Sequence, residues 1–482
     1  MSTAAGNLTD RFHAVAAAAP GRVALSDAGG DLTYAQLRGA ADVMAARMLD
    51  RGLRAGDVVQ VQFQAPAFRL KVACAIGLAR IGAIHAPLPP GSAARATPGL
   101  GAARFHIGDM LPDLPPGIAG IRLDIDELLR AAPPSGLPCT TDPGLPWLLA
   151  RSSGTTGPPK AFLISHANEA ARHDAQQGAI AILPGERFLG FVDPQQYIGL
   201  SYVLRCLRSG GTAIAADPQA GIAGNLRRIA ARRVNYVSTA PAHLYGLAAA
   251  NEVAGLALPD LRVLRVGSAA VSAPRLRHAM AHLTANIHVG YGSNEAGIIA
   301  VATPADLRRD PATCGRPLPG MAVRLLPAPG SATPGPCEIA VRSAGVVDRY
   351  LSGAADRDIT QGWLRPGDLA RIDDAGCIIL QGRADDAINY GGTLISPQEI
   401  EAVLLDHPAV ADAAAFAAPS ALHQDLPHAA VVLRQPVDDG DLLAFCRARL
   451  GGKAPLAILR LAALPRNAMG KVLRRVLRDG GG

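Results

Sequence analysis

At 482 residues the chain exceeds what one hydrophobic core serves, so two or three structural units are expected, and 49% apolar residues suffice to build them. The formal charge of +7 rests almost wholly on arginines spread along the sequence, and with only 4% aromatics this does not support a nucleic-acid footprint. Seven cysteines without a C-x-x-C pair argue against a disulfide framework or zinc site, and the alanine run at 14–19 lacks the flanks of a signal peptide, so a cytoplasmic protein without a membrane span is expected.

Helical and extended patterns alternate along the chain. Residues 33–53 carry Leu37, Ala40, Ala41, Met44 and Met48 at helical spacing and end at Gly52 and Gly56, which predicts a helix. A strand is expected at 58–63, a helix at 71–80, then a short run at 83–88, with Pro/Gly-rich loops at 87–99, 111–117 and 132–146. Further on, 222–232 predicts a helix feeding a strand at 234–238, and 274–283 a helix feeding a strand at 287–290. A strand at 377–381 precedes Gly391 and Gly392, a helix opening at Ser396 with a capping box through Glu399, and a last helix from about Asp441. This is α/β patterning with substantial parallel sheet: a large N-terminal domain of βα layered sheets, 1–384, and a small mobile α+β C-terminal domain, 385–482.

Residues 151–160 read RSSGTTGPPK. The stretch sets Gly154 and Gly157 among Ser152, Ser153, Thr155 and Thr156 and ends on Lys160, one of only four lysines in the sequence. Glycines let backbone wrap a ligand, hydroxyls and N–H groups donate, and the lysine adds charge, a set that suits a polyphosphate. A Walker A loop is excluded, because two residues separate the glycines instead of four and Pro158-Pro159 precede the lysine. Residues 287–297, IHVGYGSNEAG, deliver Tyr291, Gly292, Ser293 and Asn294 before Glu295, a carboxylate suited to a magnesium ion bridging phosphates. WLRPGD at 363–368 puts Asp368 where a carboxylate could hold two ribose hydroxyls; QGRADDAINYGG follows at 381–392 and LPRNAMGKVLR at 464–474. His278 and His282 have metal-pair spacing, but no glutamate follows His278, so they read as a helix face.

In this order the motifs, joined by RPLPG at 316–320, resemble the adenylate-forming superfamily of acyl-CoA synthetases, peptide-synthetase adenylation domains and luciferases over nearly the whole chain. The segment GGTLISPQEIE at 391–401 looks closest to benzoate-type acyl-CoA ligases. The resemblance implies ATP-dependent, AMP-forming activation of a small carboxylic acid to an acyl-adenylate, then thioester formation with CoA. It implies Lys471 as the catalytic lysine, Glu295 as a catalytic Mg2+ ligand, and Lys160 with 152–157 on the β- and γ-phosphates. It also implies Asp368 and Arg383 on the ribose, Asp385 as hinge, and Gly391 and Gly392 beside the pantetheine channel. A freestanding enzyme loading the phosphopantetheine of a separate acyl carrier protein is the alternative, an inactive nucleotide-binding homologue the third reading; oligomeric state stays open.

Three positions depart from the family pattern: Asn294 for threonine, Ala161 for glycine and Pro366 for the threonine of Thr-Gly-Asp, which puts ATP handling in question. By position the acyl pocket involves Gln196, Tyr197, Ala240, His243, Gly267, Ser268, Ala269, Gly290 and Gly297. Tyr197 falls where amino-acid-activating relatives keep an aspartate, which disfavours an α-amino acid, while Asp193 nearby leaves other amine-bearing acids open. The small residues at 267–270 are expected to leave room for an aryl or medium-chain group.

Overall fold

The computed structural model describes residues 6–64, 66–92, 103–151, 160–327, 337–351, 358–391, 393–420, 424–466 and 472–479. Four sheets organise them. In the nine-stranded sheet, Val23–Asp27, Thr212–Ala215, Arg187–Gly190, Tyr236–Thr239, Val263–Val266 and Ile287–Ser293 run parallel, with antiparallel strands at both edges. The first six-stranded sheet is parallel from Ala119–Arg122 to Pro146–Arg151 and closes on antiparallel Ala161–Ser165.

Strands buried on both faces must be apolar throughout. In the large sheet Leu189, Val237, Leu264 and Ile287 pack with Leu226, Leu244, Leu247 and Leu276 of the covering helices. On the alternate positions Phe188, Tyr236 and Val263 join a second core that reaches Trp147 and Leu148 of the six-stranded sheet. A third, antiparallel sheet carries Asp368–Ile372 against Ile378–Arg383. The C-terminal sheet, with helices Pro397–Leu405 and Asp439–Leu450, has a core of its own around Ile388, Ile400, Leu404, Val431 and Leu442. The fold is therefore mixed α/β, with a large N-terminal part and a smaller C-terminal one.

Most predicted elements stand within a few residues of their expected bounds. Thr33 caps the helix Tyr34–Asp50, its hydroxyl accepting from the Gln36 N–H while Gln36 accepts in return. The expected capping box at Ser396 is not formed: the Glu399 N–H bonds the Ser396 carbonyl and not its side chain, and the Glu399 carboxylate pairs with Lys453 at 3.1 Å. The helix Asp439–Leu450 is not the last, since Arg474–Asp479 follows it. No helix of the described residues is long and apolar enough to cross a membrane.

Three histidines, His85, His166 and His173, are buried, and burial lowers each to about 4. Between about 6.5 and 4 the unfolded chain therefore binds protons that the folded chain refuses, so stability falls as pH falls through that window. The slope is about 1.4 kcal/mol per pH unit for each histidine titrating. Melting scans from pH 7 to pH 4.5 are expected to show a steep decline, and a flat profile would contradict the burial of these rings.

Candidate active site

The carboxyl ends of parallel strands are where open α/β sheets place ligands. Here the strand Ile287–Ser293, the last of the parallel strands, carries Tyr291, and its turn delivers Asn294 and Glu295. The Tyr291 hydroxyl donates to Asp368 Oδ2 at 2.8 Å, and Arg383 Nη1 reaches Asp368 Oδ1 at 3.3 Å. Asp368 and Arg383 are register partners in the third sheet, so strand pairing itself brings them together. Burial first, then the Asp368 carboxylate, pushes the Tyr291 hydroxyl well above its ordinary range, keeping it a donor. Asp368 is thus oriented by Tyr291 and Arg383, neither of which depends on a side chain at Pro366.

On the other side of the same strand Glu295 is buried, and its Oε1 accepts from the Tyr350 hydroxyl at 3.1 Å. Oε2 has no partner among the described residues, and one hard oxygen donor suits a Mg2+ that keeps water and phosphate as its other ligands. Lys160 Nζ lies 5.3 Å from the centre of the Tyr350 ring and pairs with Asp358 at 2.7 Å. The lysine and the carboxylate expected at the phosphates therefore share one tyrosine. Arg151 pairs with Ala161 across an antiparallel register, so 152–159 join strand to strand, whereas a P-loop leads from strand to helix. Asn294 Nδ2 donates to the Arg151 carbonyl at 3.3 Å, tying the start of that connection to the Glu295 turn.

Ser152, Ser153, Gly154, Thr155, Thr156 and Gly157, together with Gly392 and Lys471, lie outside the described residues. The flanks of Lys471 are anchored: Arg466 pairs with Asp412 at 2.8 Å, and Arg474 with Glu401 at 2.6 Å and Asp386 at 3.4 Å. Asp385 sits exposed in the short 3-10 turn Ala384–Asp386, between the last strand of the third sheet and the first of the C-terminal sheet. Gly391 follows at φ +57°. His278 and His282 stack with centroids 4.4 Å apart, and His278 meets Glu252 of the neighbouring helix at 3.5 Å.

The expected acyl-pocket residues surround a polar interior. Tyr197 and Ala240 are buried, His243 stacks on Phe191 at 4.9 Å, and Gln196 is exposed while Gln195 is buried. Gly297 lies against Arg172, which would meet a side chain there at 3.0 Å. Arg172 donates to Tyr197 Oη at 2.6 Å and to the Glu295 carbonyl at 2.7 Å, and Tyr197 donates to Glu169 Oε2 at 2.9 Å. Burial opposes the charge on Glu169, but His173, Arg172 and the Ser201 hydroxyl outweigh it and hold this carboxyl down at about 2. Both oxygens of Asp193 accept from the buried Lys71 at 2.8 Å, so this carboxylate already has a cationic partner. Ser268, with φ +77°, is a strained residue directly after Gly267.

Room was expected along 267–270, and at Gly267 it is already filled. The guanidinium of Arg265 fills it: a Cβ at Gly267 would lie 2.3 Å from Arg265 Nη2, and one at Gly290 2.9 Å from Nε. Arg265, Glu169, Arg172 and Tyr350 are absent from the sequence-based expectations. For Arg265 a signal existed, an arginine inside the apolar strand Val263–Val266.

The family model described as AMP-binding enzyme matches residues 12–98 and 120–351, and that of the AMP-binding enzyme C-terminal domain matches 399–471. The 4-coumarate–CoA ligase-like 9 protein of Oryza sativa subsp. japonica is 29% identical over 350 residues, 69% of this chain; the chain spans only 63% of that relative's length. The sulfoacetate–CoA ligase of Cupriavidus necator is 31% identical over 396 residues, covering 75% of this chain and 76% of that protein. Among solved structures, the amide bond synthetase McbA from Marinactinospora thermotolerans superimposes with a TM-score of 0.86 at 25% identity, covering 98% of this chain and 99% of that one. The motif order, the Tyr291–Asp368–Arg383 and Lys160–Tyr350–Glu295 clusters and these matches agree, and the chain belongs to the AMP-binding enzyme family.

Proposed function

We propose that the chain activates a small carboxylic acid with ATP, forming an acyl-adenylate and pyrophosphate, and then transfers the acyl group to the thiol of CoA. The observation that carries this reading is the strand Ile287–Ser293, whose end holds a ribose-type carboxylate site on Tyr291 and a phosphate-type site at Glu295. In the first step a carboxylate oxygen attacks the α-phosphorus and the P–O bond to pyrophosphate breaks. In the second the thiol attacks the acyl carbon and AMP leaves with the electron pair.

Asp368, oriented by Tyr291 and Arg383, would take the ribose hydroxyls, and Lys160 with 152–157 the β- and γ-phosphates. Glu295 would hold Mg2+, which when bound neutralises phosphate charge; Tyr350 fixes the carboxylate that receives it. Lys471 would bridge the carboxylate and the α-phosphate, two anions that otherwise repel. The separate C-terminal core supports domains at 1–384 and 385–482, turning about Asp385, with Gly391 and Gly392 lining the thiol path after the turn. Seven cysteines outside any disulfide suit a reducing, cytoplasmic setting.

The test is ATP–pyrophosphate exchange across aryl, fatty and dicarboxylic acids, followed by offering CoA or a holo carrier protein. Acid-dependent exchange and release of acyl-CoA are expected; transfer to the carrier alone would replace CoA as acceptor, and exchange with no acid would overturn the reading. Tyr291→Phe removes a hydrogen bond to a carboxylate and is expected to raise the KM for ATP about tenfold or more with kcat little changed. An unaltered KM for ATP would remove Asp368 from the nucleotide site.

A further inference from the structure

Arg265 and Arg205 are buried to 3% and 1% exposure, and neither has an ion-pair partner among the described residues. Arg205 donates to the Tyr236 hydroxyl at 2.8 Å and leaves Nε and Nη1 without a partner; Arg265 leaves Nε without one. The two guanidinium groups share the Tyr202 ring, at 4.8 Å for Arg205 and 5.3 Å for Arg265. Tyr202 and Arg205 come from the helix Tyr197–Arg208, Arg265 from the strand Val263–Val266, so two separate elements converge on one point. Among the described residues, the carboxylate woven into the adjoining buried network, Glu169, is engaged by His173, Ser201, Tyr197 and Arg172.

A buried guanidinium without an anion is costly, because burial removes its hydration and nothing replaces it. Cation–π contact with tyrosine returns far less than the desolvation of a charge costs. The position completes the argument. Arg265 lies two residues before Gly267, and its guanidinium packs on Gly267 and Gly290, the residue preceding Tyr291. It therefore stands one step deeper in the sheet than the end of the strand where the nucleotide carboxylate sits. A guanidinium there presents a planar fork suited to bidentate capture of a carboxylate or sulfonate.

We propose that Arg265, backed by Arg205, binds a second anionic group at the far end of the acid substrate, making this an enzyme for acids that carry a carboxylate or sulfonate distal to the reacting carboxyl. The proposal rests on the adenylation reading for its chemistry but not for its binding. The reacting carboxyl goes to the α-phosphate at the strand end, and the distal anion supplies the counter-charge that the protein's own side chains do not. A neutral tail in the same place would leave both guanidinium groups buried and unpaired, and this is the source of discrimination.

Matched acids test it: hexanoate against hexanedioate, 3-phenylpropanoate against 3-(4-carboxyphenyl)propanoate, propanoate against 3-sulfopropanoate. Each is read twice, by pyrophosphate exchange and by the rise in melting temperature it gives the protein with ATP present. The wild type is expected to favour the anion-bearing member of at least one pair about tenfold or more in kcat/KM and to be stabilised by it. Arg265→Gln should cut activity on that member about a hundredfold while changing activity on the neutral member only a few-fold, and Arg265→Lys should restore part of the preference. No preference for an anionic member by either readout, or equal losses on both members in Arg265→Gln, would overturn the anion site. A melting preference that Arg265→Gln abolishes, with exchange absent for every acid, would uphold the anion site and overturn the adenylation reading instead.

Discussion

Replacing Lys471 with alanine is expected to lower acid-dependent pyrophosphate exchange about a hundred- to a thousand-fold, with ATP affinity changed no more than about threefold. The asymmetry follows from what each lysine faces. In the proposed site, binding ATP would engage Lys160, which lies 5.3 Å from the centre of the Tyr350 ring, together with Glu295 and Asp368, which are hydrogen-bonded to Tyr350 and Tyr291. Joining the carboxylate to the α-phosphate asks for something further, a cation between two anions as negative charge shifts in the transition state. In the proposed mechanism Lys471 would supply that cation; on either side of it in the sequence, Arg466 pairs with Asp412 and Arg474 with Glu401. Lys160→Ala is expected to act in the other direction, raising the KM for ATP more than it lowers kcat. Equal exchange rates in wild type and Lys471→Ala would remove this lysine from the chemistry.

Glu169→Ala is expected to destabilise the protein by about 3–5 kcal/mol, the largest stability loss of any single side chain discussed. Glu169 is fully buried and receives the Tyr197 hydroxyl at 2.9 Å, the Ser201 hydroxyl and the His173 ring at 2.9 Å, with Arg172 at 3.9 Å. Removing the carboxylate leaves Arg172 as an uncompensated buried charge and strips Tyr197 of its acceptor. Because Glu169 titrates near 2 in the folded state and above 4 when unfolded, its contribution is present at neutral pH and is lost only as pH falls toward 2. The urea midpoint at pH 7 should therefore drop sharply for Glu169→Ala, and the difference from wild type should shrink in acid. A midpoint within error of wild type would mean that the network is not buried as described.

The family and the motifs that carry the resemblance were legible in the sequence, whereas the side chains packed around Glu295, Asp193 and Gly267 were not. RSSGTTGPPK, SNEAG and RPGD announce themselves because glycine, proline and isolated charges are placed for local backbone reasons, and local reasons are visible in local sequence. Tyr350 on Glu295 and Lys71 on Asp193 join residues 55 and 122 positions apart, and no periodicity encodes such pairs. The Ser396 box shows the converse: a local pattern that the structure does not use, with the Glu399 carboxylate paired to Lys453. In the acyl region the run of small residues at 267–270 looked like open space. The strand's own arginine, two positions upstream, fills the space beside Gly267, and an arginine in a core strand was the one available warning.

The central claim is that a carboxylate oxygen of the substrate becomes bonded to the α-phosphorus of ATP. Supplying an accepted acid with 18O in both carboxyl oxygens, with ATP, Mg2+ and CoA, tests it in one measurement. AMP carrying one 18O atom per turnover and unlabelled pyrophosphate are expected. Label appearing in inorganic phosphate, or product formed with unlabelled AMP, would contradict it.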